Sequence, residues 1–187
     1  RGRAMAEAAT QAQTGMSAVV GGVEADVLAR LAELDLTPAN YNGAGQIVAA
    51  GDLVALAALS AEAPRGSRVV PLQVAGAFHT RYMEPARAAL QAAVDELNAS
   101  GAVADPSTTL WTNSDGTTVA SGARALELLV GQVASPVRWD LCMQSFADSN
   151  ITGLVELTPG GTLVGLAKRA LRGVPAVAVK TPEDLSA

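Results

Sequence analysis

The residues able to carry chemistry are few, and the first of them is His79, the single histidine among 187 residues. It stands in "VAGAFHTR" (74–81), behind Phe78 and a run of small residues. With an ordinary pKa of about 6.5, an imidazole takes and returns a proton at neutral pH. A base of this kind needs a nucleophile to activate. The strained Gly-x-Ser-x-Gly turn that lifts a serine into a site is absent, since no serine here has glycine two residues before and two after it. Cys142, the only thiol, falls in the helical pattern "WDLCMQSF" and reads as a core residue. His79 therefore either works with a residue outside this chain or is not catalytic. On the residues alone, a structural histidine is the commoner outcome.

Three further clusters could bind a ligand. In "LTPGGTLVGLAKR" (157–169), glycines mark a strand-to-helix turn that could cradle an anion, although a tight turn demanded by packing is the commoner explanation. In "NYNGAGQIV" (40–48), Asn40, Asn42 and Gln46 could hydrogen-bond a ligand or merely satisfy the turn. Lys168, Arg169 and Arg172 form the most basic helix end, where they also complement the helix dipole.

The elements that must position these groups follow from hydrophobic period and turn residues. Helix is expected over 3–13, 24–35, 52–63, from Thr80 to about 100, and over about 123–134, 140–149 and 162–172. Strands are expected at 16–21, in two pieces across 39–51, and at 67–74, 109–114 and 176–180, and 152–161 reads as a strand followed by a glycine turn. Asp52 is a candidate N-cap, and Pro85 suits a first helical turn. Residues 16–74 thus run β-α-β-β-α-β, the ferredoxin-like order. Beyond them, strands alternate with helices, which implies a mostly parallel sheet. His79 lies where the chain returns from the first unit to the second, a common place for a cleft.

Composition narrows the class of function. The chain is 49% hydrophobic and 17% charged, enough to fold around a core, and its net charge of −5 argues against general nucleic-acid binding. One cysteine rules out an internal disulfide and multi-cysteine metal clusters, and fits a cytoplasmic setting. No apolar run approaches the roughly 18–20 residues that span a bilayer. The opening "RGRAMAEAATQAQTG" has helical character and no initiator methionine, so the chain is expected to be a fragment whose first helix begins upstream.

Four motifs in series carry a resemblance: "GAFHT-x-x-M-x-P-A" (76–86), "NYNGAGQIVAAG" (40–51), "Q-x-x-x-PV-x-W" (132–139) and "ELTPGGTLVGLAKR" (156–169). With "RGRAM" and "TGMSAVVGG" near the start, they resemble the malonyl-CoA:acyl carrier protein transacylases across essentially the whole chain. The resemblance implies an α/β fold in which a hydrolase-like parallel-sheet core, 1–15 and 75–187, its N-terminal part missing, carries an inserted ferredoxin-like βαββαβ subdomain, 16–74. It implies a ping-pong reaction in which a serine takes malonyl from malonyl-CoA and passes it to the phosphopantetheine thiol of acyl carrier protein, in fatty acid biosynthesis. That serine lies in a Gly-His-Ser-x-Gly segment before "RG", so the chain by itself should be inactive.

Carried over by the same resemblance, His79 is the catalytic base. The main-chain carbonyl of Gln132 accepts from its other nitrogen, so a side-chain exchange at Gln132 should be mild. Arg1, with Arg3 as fallback, clamps the malonyl carboxylate. Phe78 favours malonyl over methylmalonyl by removing room for an α-methyl group. No metal or cofactor is implied, and the enzyme should be a cytoplasmic monomer when complete. Arg81, Lys168, Arg169 and Arg172 are candidate contacts for the acidic carrier protein. A malonyl-type acyltransferase domain of a polyketide synthase and a non-catalytic binding module are the alternatives; the ending "VKTPEDLSA" favours a stand-alone enzyme.

Overall fold

The computed structural model describes residues 1–186. In chain order the elements are α1 (Gly2–Ala9), β1 (Thr14–Gly21), α2 (Glu24–Glu33), β2 (Thr37–Gly43), β3 (Gln46–Asp52), α3 (Leu53–Ala61) and β4 (Ser67–Pro71), then a 3-10 turn (Arg81–Ala86) leading into α4 (Arg87–Ala99). After a long irregular stretch come α5 (Gly122–Gln132), β5 (Val137–Arg138), α6 (Trp139–Asp148), β6 (Leu154–Glu156), α7 (Thr162–Ala170) and β7 (Ala176–Ala178).

The first four strands pair antiparallel in the order β4-β1-β3-β2. Alternation then decides what each face does. Val19, Ile47 and Ala49 point to one side and pack with Val27 and Leu31 of α2 and Leu56 and Leu59 of α3. Met16 and Val48 point to the other side, where Ala77, Phe78 and Tyr82 cover them. Both faces are apolar because both are covered, which is why "MSAVVG" lacks a polar-apolar alternation. Asp52 caps α3, its Oδ1 accepting from Val54 N–H at 2.8 Å.

Four findings differ from the sequence expectations. The sheet does not close on itself: β5, from well beyond residue 74, adds to its edge parallel to β2, so the sheet is mixed and joins the two halves of the chain. The mostly parallel sheet expected of the second half is reduced to the parallel pair β6 and β7. Residues 109–114 form no strand; Trp111 makes only an isolated bridge to Thr118. The long helix expected from Thr80 begins as a 3-10 turn, because Thr80 takes up the cap position and Pro85 cannot donate.

The glycine turn after β6 is explained from within. Glu156 ends β6, is buried, and turns its carboxylate into the start of α7: Oε2 accepts from Gly161 N–H at 2.7 Å and Val164 N–H at 2.9 Å, and Oε1 from Leu163 N–H at 2.9 Å. Burial alone would raise this carboxyl, but the backbone N–H groups of Val164, Leu163, Gly161 and Thr162 outweigh it and hold it below its ordinary value. The helix N-terminus thus already holds an anion, supplied by the chain. Such a depressed carboxyl contributes stability above its unfolded-state pKa and loses it as pH falls through the lower folded value. Glu156→Gln should lower the urea midpoint at neutral pH, and the gap to the parent should narrow in acid. An unchanged neutral midpoint would mean the three bonds contribute nothing.

Candidate active site

The segment 74–81 is tied down before it reaches His79. Thr14, at the start of β1, accepts from Ala77 N–H through its hydroxyl at 3.1 Å. Thr80, 1% exposed, donates its hydroxyl to Ala77 O at 2.6 Å and accepts from Tyr82 N–H at 3.2 Å. Gly76 is required by a close approach: a Cβ there would lie 3.0 Å from that of Ala9. Between these anchors His79 adopts φ +61°, the left-handed region, which costs a non-glycine residue about 1–2 kcal/mol. The surrounding bonds over-determine the turn and hold that conformation.

The imidazole is half-buried and has one defined partner. Its Nδ1 lies 2.9 Å from the main-chain O of Gln132, the last residue of α5. A carbonyl only accepts, so Nδ1 carries the hydrogen and Nε2 is left as the lone-pair nitrogen in the neutral ring. Burial pushes the imidazole pKa down and the Gln132 carbonyl pushes it up; the charge of Arg1 pushes down and the Ser135 carbonyl up. The result lies below the ordinary value, so the ring is the neutral base at pH 7. Among the described residues, no hydroxyl or thiol is hydrogen-bonded to His79.

His79 stands in the wall of a cavity of about 600 Å³. The even-numbered face of the sheet lines one side with Met16, Ala18, Asn40, Asn42, Gln46 and Val48, and Phe78 stands beside the base. Asn42 Nδ2 donates to Gln46 Oε1 at 3.2 Å, so part of the amide cluster is self-satisfied. Trp139, Asn113, Thr162 and Leu163 also line the cavity. Thr162 and Leu163 belong to the glycine-turn segment 157–169, whereas nothing in the local sequence marks Asn113, which is tied to β5 by its carbonyl accepting from Arg138 N–H at 2.7 Å.

The other candidates fall in different places. Arg1 is exposed at the start of α1, with Nε donating to Met5 Sδ at 3.4 Å; Met5 lines the cavity, and the Arg1 charge reaches His79. Arg3 is exposed and has no part in the cavity wall. Arg81 is engaged by Asp35 in a two-pronged ion pair, Nη1 to Oδ1 at 3.0 Å and Nη2 to Oδ2 at 2.5 Å. Lys168 and Arg169 are exposed in the last turn of α7 and Arg172 just past its end, with Lys168 about 9 Å along the axis from Thr162. Cys142 is buried, donates to Thr112 O at 3.4 Å, and has its thiol pushed up to about 11 by burial and by the charges of Asp140 and Asp115. It is the inert core thiol that its helical setting predicts.

Gln132 differs from expectation. Its side chain is 4% exposed, and its Nε2 donates to both Ser135 O at 2.8 Å and Pro136 O at 3.0 Å. An exchange there would remove the side-chain donor of both carbonyls, a role the expectation of a mild effect did not include.

No family model matches the chain. The malonyl CoA-acyl carrier protein transacylase of Mycobacterium tuberculosis is 54% identical over 185 residues, 99% of this chain and 60% of that protein. The crystal structure of MCAT from Mycobacterium tuberculosis superposes with a TM-score of 0.92 at 53% identity, covering 98% of this chain and 60% of the other. A complex of a type II polyketide synthase acyl-carrier protein with its malonyl-transacylase matches with a TM-score of 0.84 at 26% identity, over 99% of this chain and 60% of that one. The chain thus spans about 60% of the length of these relatives.

A depressed histidine pKa has a thermodynamic consequence. The folded state binds the proton more weakly than the unfolded state, so His79 contributes stability above about pH 6.5 that is lost as pH falls through the folded value. Titration of the single imidazole signal by NMR should give a midpoint below 6.5, and His79→Gln should flatten the pH dependence of the urea midpoint between pH 7 and 5. A midpoint at or above the ordinary value would contradict the burial account.

Proposed function

Taking as premise that this chain belongs to the malonyl CoA-acyl carrier protein transacylase family, we propose that it supplies the base and part of the substrate cavity of an enzyme that moves malonyl from malonyl-CoA to the phosphopantetheine thiol of acyl carrier protein, for fatty acid synthesis. One observation carries the reading: His79 is a neutral imidazole with Nδ1 committed to Gln132 O and Nε2 free, in the wall of a cavity.

The chemistry needs a nucleophile that these residues do not provide. A serine from the remainder of such an enzyme gives its proton to His79 Nε2 as its oxygen attacks the thioester carbon. The tetrahedral adduct collapses with cleavage of the C–S bond. The departing coenzyme A thiolate takes the proton from Nε2–H, leaving malonyl on the serine. The phosphopantetheine thiol reverses these steps, first losing its proton to Nε2. In each half the imidazolium forms at the C-terminal end of α5, where the helix dipole favours a cation. No metal or cofactor takes part. Arg1 clamps the malonyl carboxylate from the cavity rim, and Phe78 limits room beside the reacting carbon.

The finer architecture belongs to the same proposal. Residues 16–74 are the ferredoxin-like subdomain, supported by the strand order β4-β1-β3-β2. Residues 1–15 and 75–187 belong to a hydrolase-like unit. The exposure of Val155 (65%) and Leu157 (70%) supports this, since a parallel sheet is ordinarily covered on both faces. For the carrier protein, Lys168, Arg169 and Arg172 are the candidate contacts, Arg81 being already paired. A cytoplasmic setting keeps Cys142 reduced.

In a full-length enzyme containing this segment, His79→Ala should lower malonyl transfer by about 10²–10⁴-fold. Turnover near that of the parent removes His79 as the base. Phe78→Ser should raise the ratio of methylmalonyl to malonyl transfer, measured by direct competition; an unchanged ratio assigns the discrimination elsewhere.

A further inference from the structure

Three carbonyls meet at the C-terminal end of α5. Gln132 O lies beyond the last intrahelical donor, as the final carbonyls of any helix do. Ser135 O and Pro136 O turn back toward it. The intervening backbone supplies no donor to them: Val133 N–H and Ala134 N–H wind back onto Val130 O at 3.4 Å and Gly131 O at 3.2 Å, Ser135 N–H bonds none of the three, and Pro136 has no N–H. The donors that reach them are three hydrogens, two on the Gln132 amide and one on His79 Nδ1. The amide takes Ser135 O and Pro136 O, and the imidazole takes Gln132 O. Each acceptor has one donor, and the amide orientation is forced, because its oxygen could not bond two carbonyls.

We propose that the Gln132 side chain is a positioning residue for His79: by closing the 132–136 turn through Ser135 O and Pro136 O, it aims its own main-chain carbonyl at Nδ1 and selects the tautomer with Nε2 free. Its value to catalysis rests on the function proposed above, but the selection itself does not. Without the amide hydrogens nothing closes the 132–136 turn, the Ser135 and Pro136 carbonyls are no longer drawn in, and Gln132 O is no longer aimed at Nδ1. Nδ1–H then loses its defined partner, and the ring is free to turn or to adopt the other tautomer. Gln132→Met removes both donors at nearly constant length. Gln132→Glu keeps the shape but sets a carboxylate, which only accepts, against Ser135 O and Pro136 O and so drives the turn open.

The chain has one histidine, so ¹⁵N-histidine labelling of the 187-residue protein gives a single imidazole whose neutral tautomer is read from its two nitrogen shifts. The parent should be in the Nδ1–H form. In Gln132→Met and Gln132→Glu, the Nε2–H form should become the larger part, while protection of Cys142 from thiol reagents reports that the fold persists. An unchanged tautomer in either folded variant overturns the proposal. If neither variant folds, the parent decides: an Nε2–H ring there overturns it, and an Nδ1–H ring that exchanges its hydrogen slowly supports it. No acyl transfer enters the measurement, so its failure is distinct from failure of the proposed reaction.

Discussion

The site depends on one hydrogen bond, from His79 Nδ1 to the carbonyl at the end of α5, between residues 53 apart in sequence. A carbonyl is an acceptor only, so this contact decides which nitrogen keeps its hydrogen and which is free. Much of the nearby structure holds the two partners at bonding distance. On one side Thr14 and Thr80 anchor a turn in which His79 is held in the left-handed region. On the other the Gln132 amide closes the 132–136 turn through Ser135 O and Pro136 O. Burial then keeps the ring neutral against the pull of the helix end.

A second constraint is the sheet with two covered faces. One face is closed by α2 and α3 and behaves as an ordinary core. The other is covered by the return segment that carries Phe78 and His79, and where that cover stops the cavity begins. β5 leaves the turn after α5 and pairs with β2 through Asn40 and Tyr41. The carbonyl that orients His79 is thereby tied, within a few residues, to the strand that carries the cavity's asparagines.

The two helix ends at the site make opposite use of the same electrostatics. The N-terminus of α7 could attract an anion, and Glu156 fills it from within, so that feature supports the fold rather than a ligand. The C-terminus of α5 has its carbonyls turned toward an imidazole that can become a cation. Fixing a carboxylate permanently and a proton carrier reversibly suits a structure that needs stability at one end and exchange at the other.

Much of this was legible without coordinates. Period and turn residues located the helices and most strands to within a few residues, and the β-α-β-β-α-β order emerged because each element's apolar spacing is local. The same locality placed His79 at the return between two units and Cys142 in a helix core. Glu156 as the internal anion, the fifth strand in the sheet and the cavity residue Asn113 were not legible. Nor was the work of the Gln132 side chain, whose exchange the sequence suggested would be mild. Each depends on which distant backbone groups meet. The sequence determined the residue types, the elements and the lone histidine, because those are set by neighbours along the chain. Tertiary structure alone decided the tautomer and charge state of that histidine, because they are set by a carbonyl, a burial and a charge brought from elsewhere in the chain.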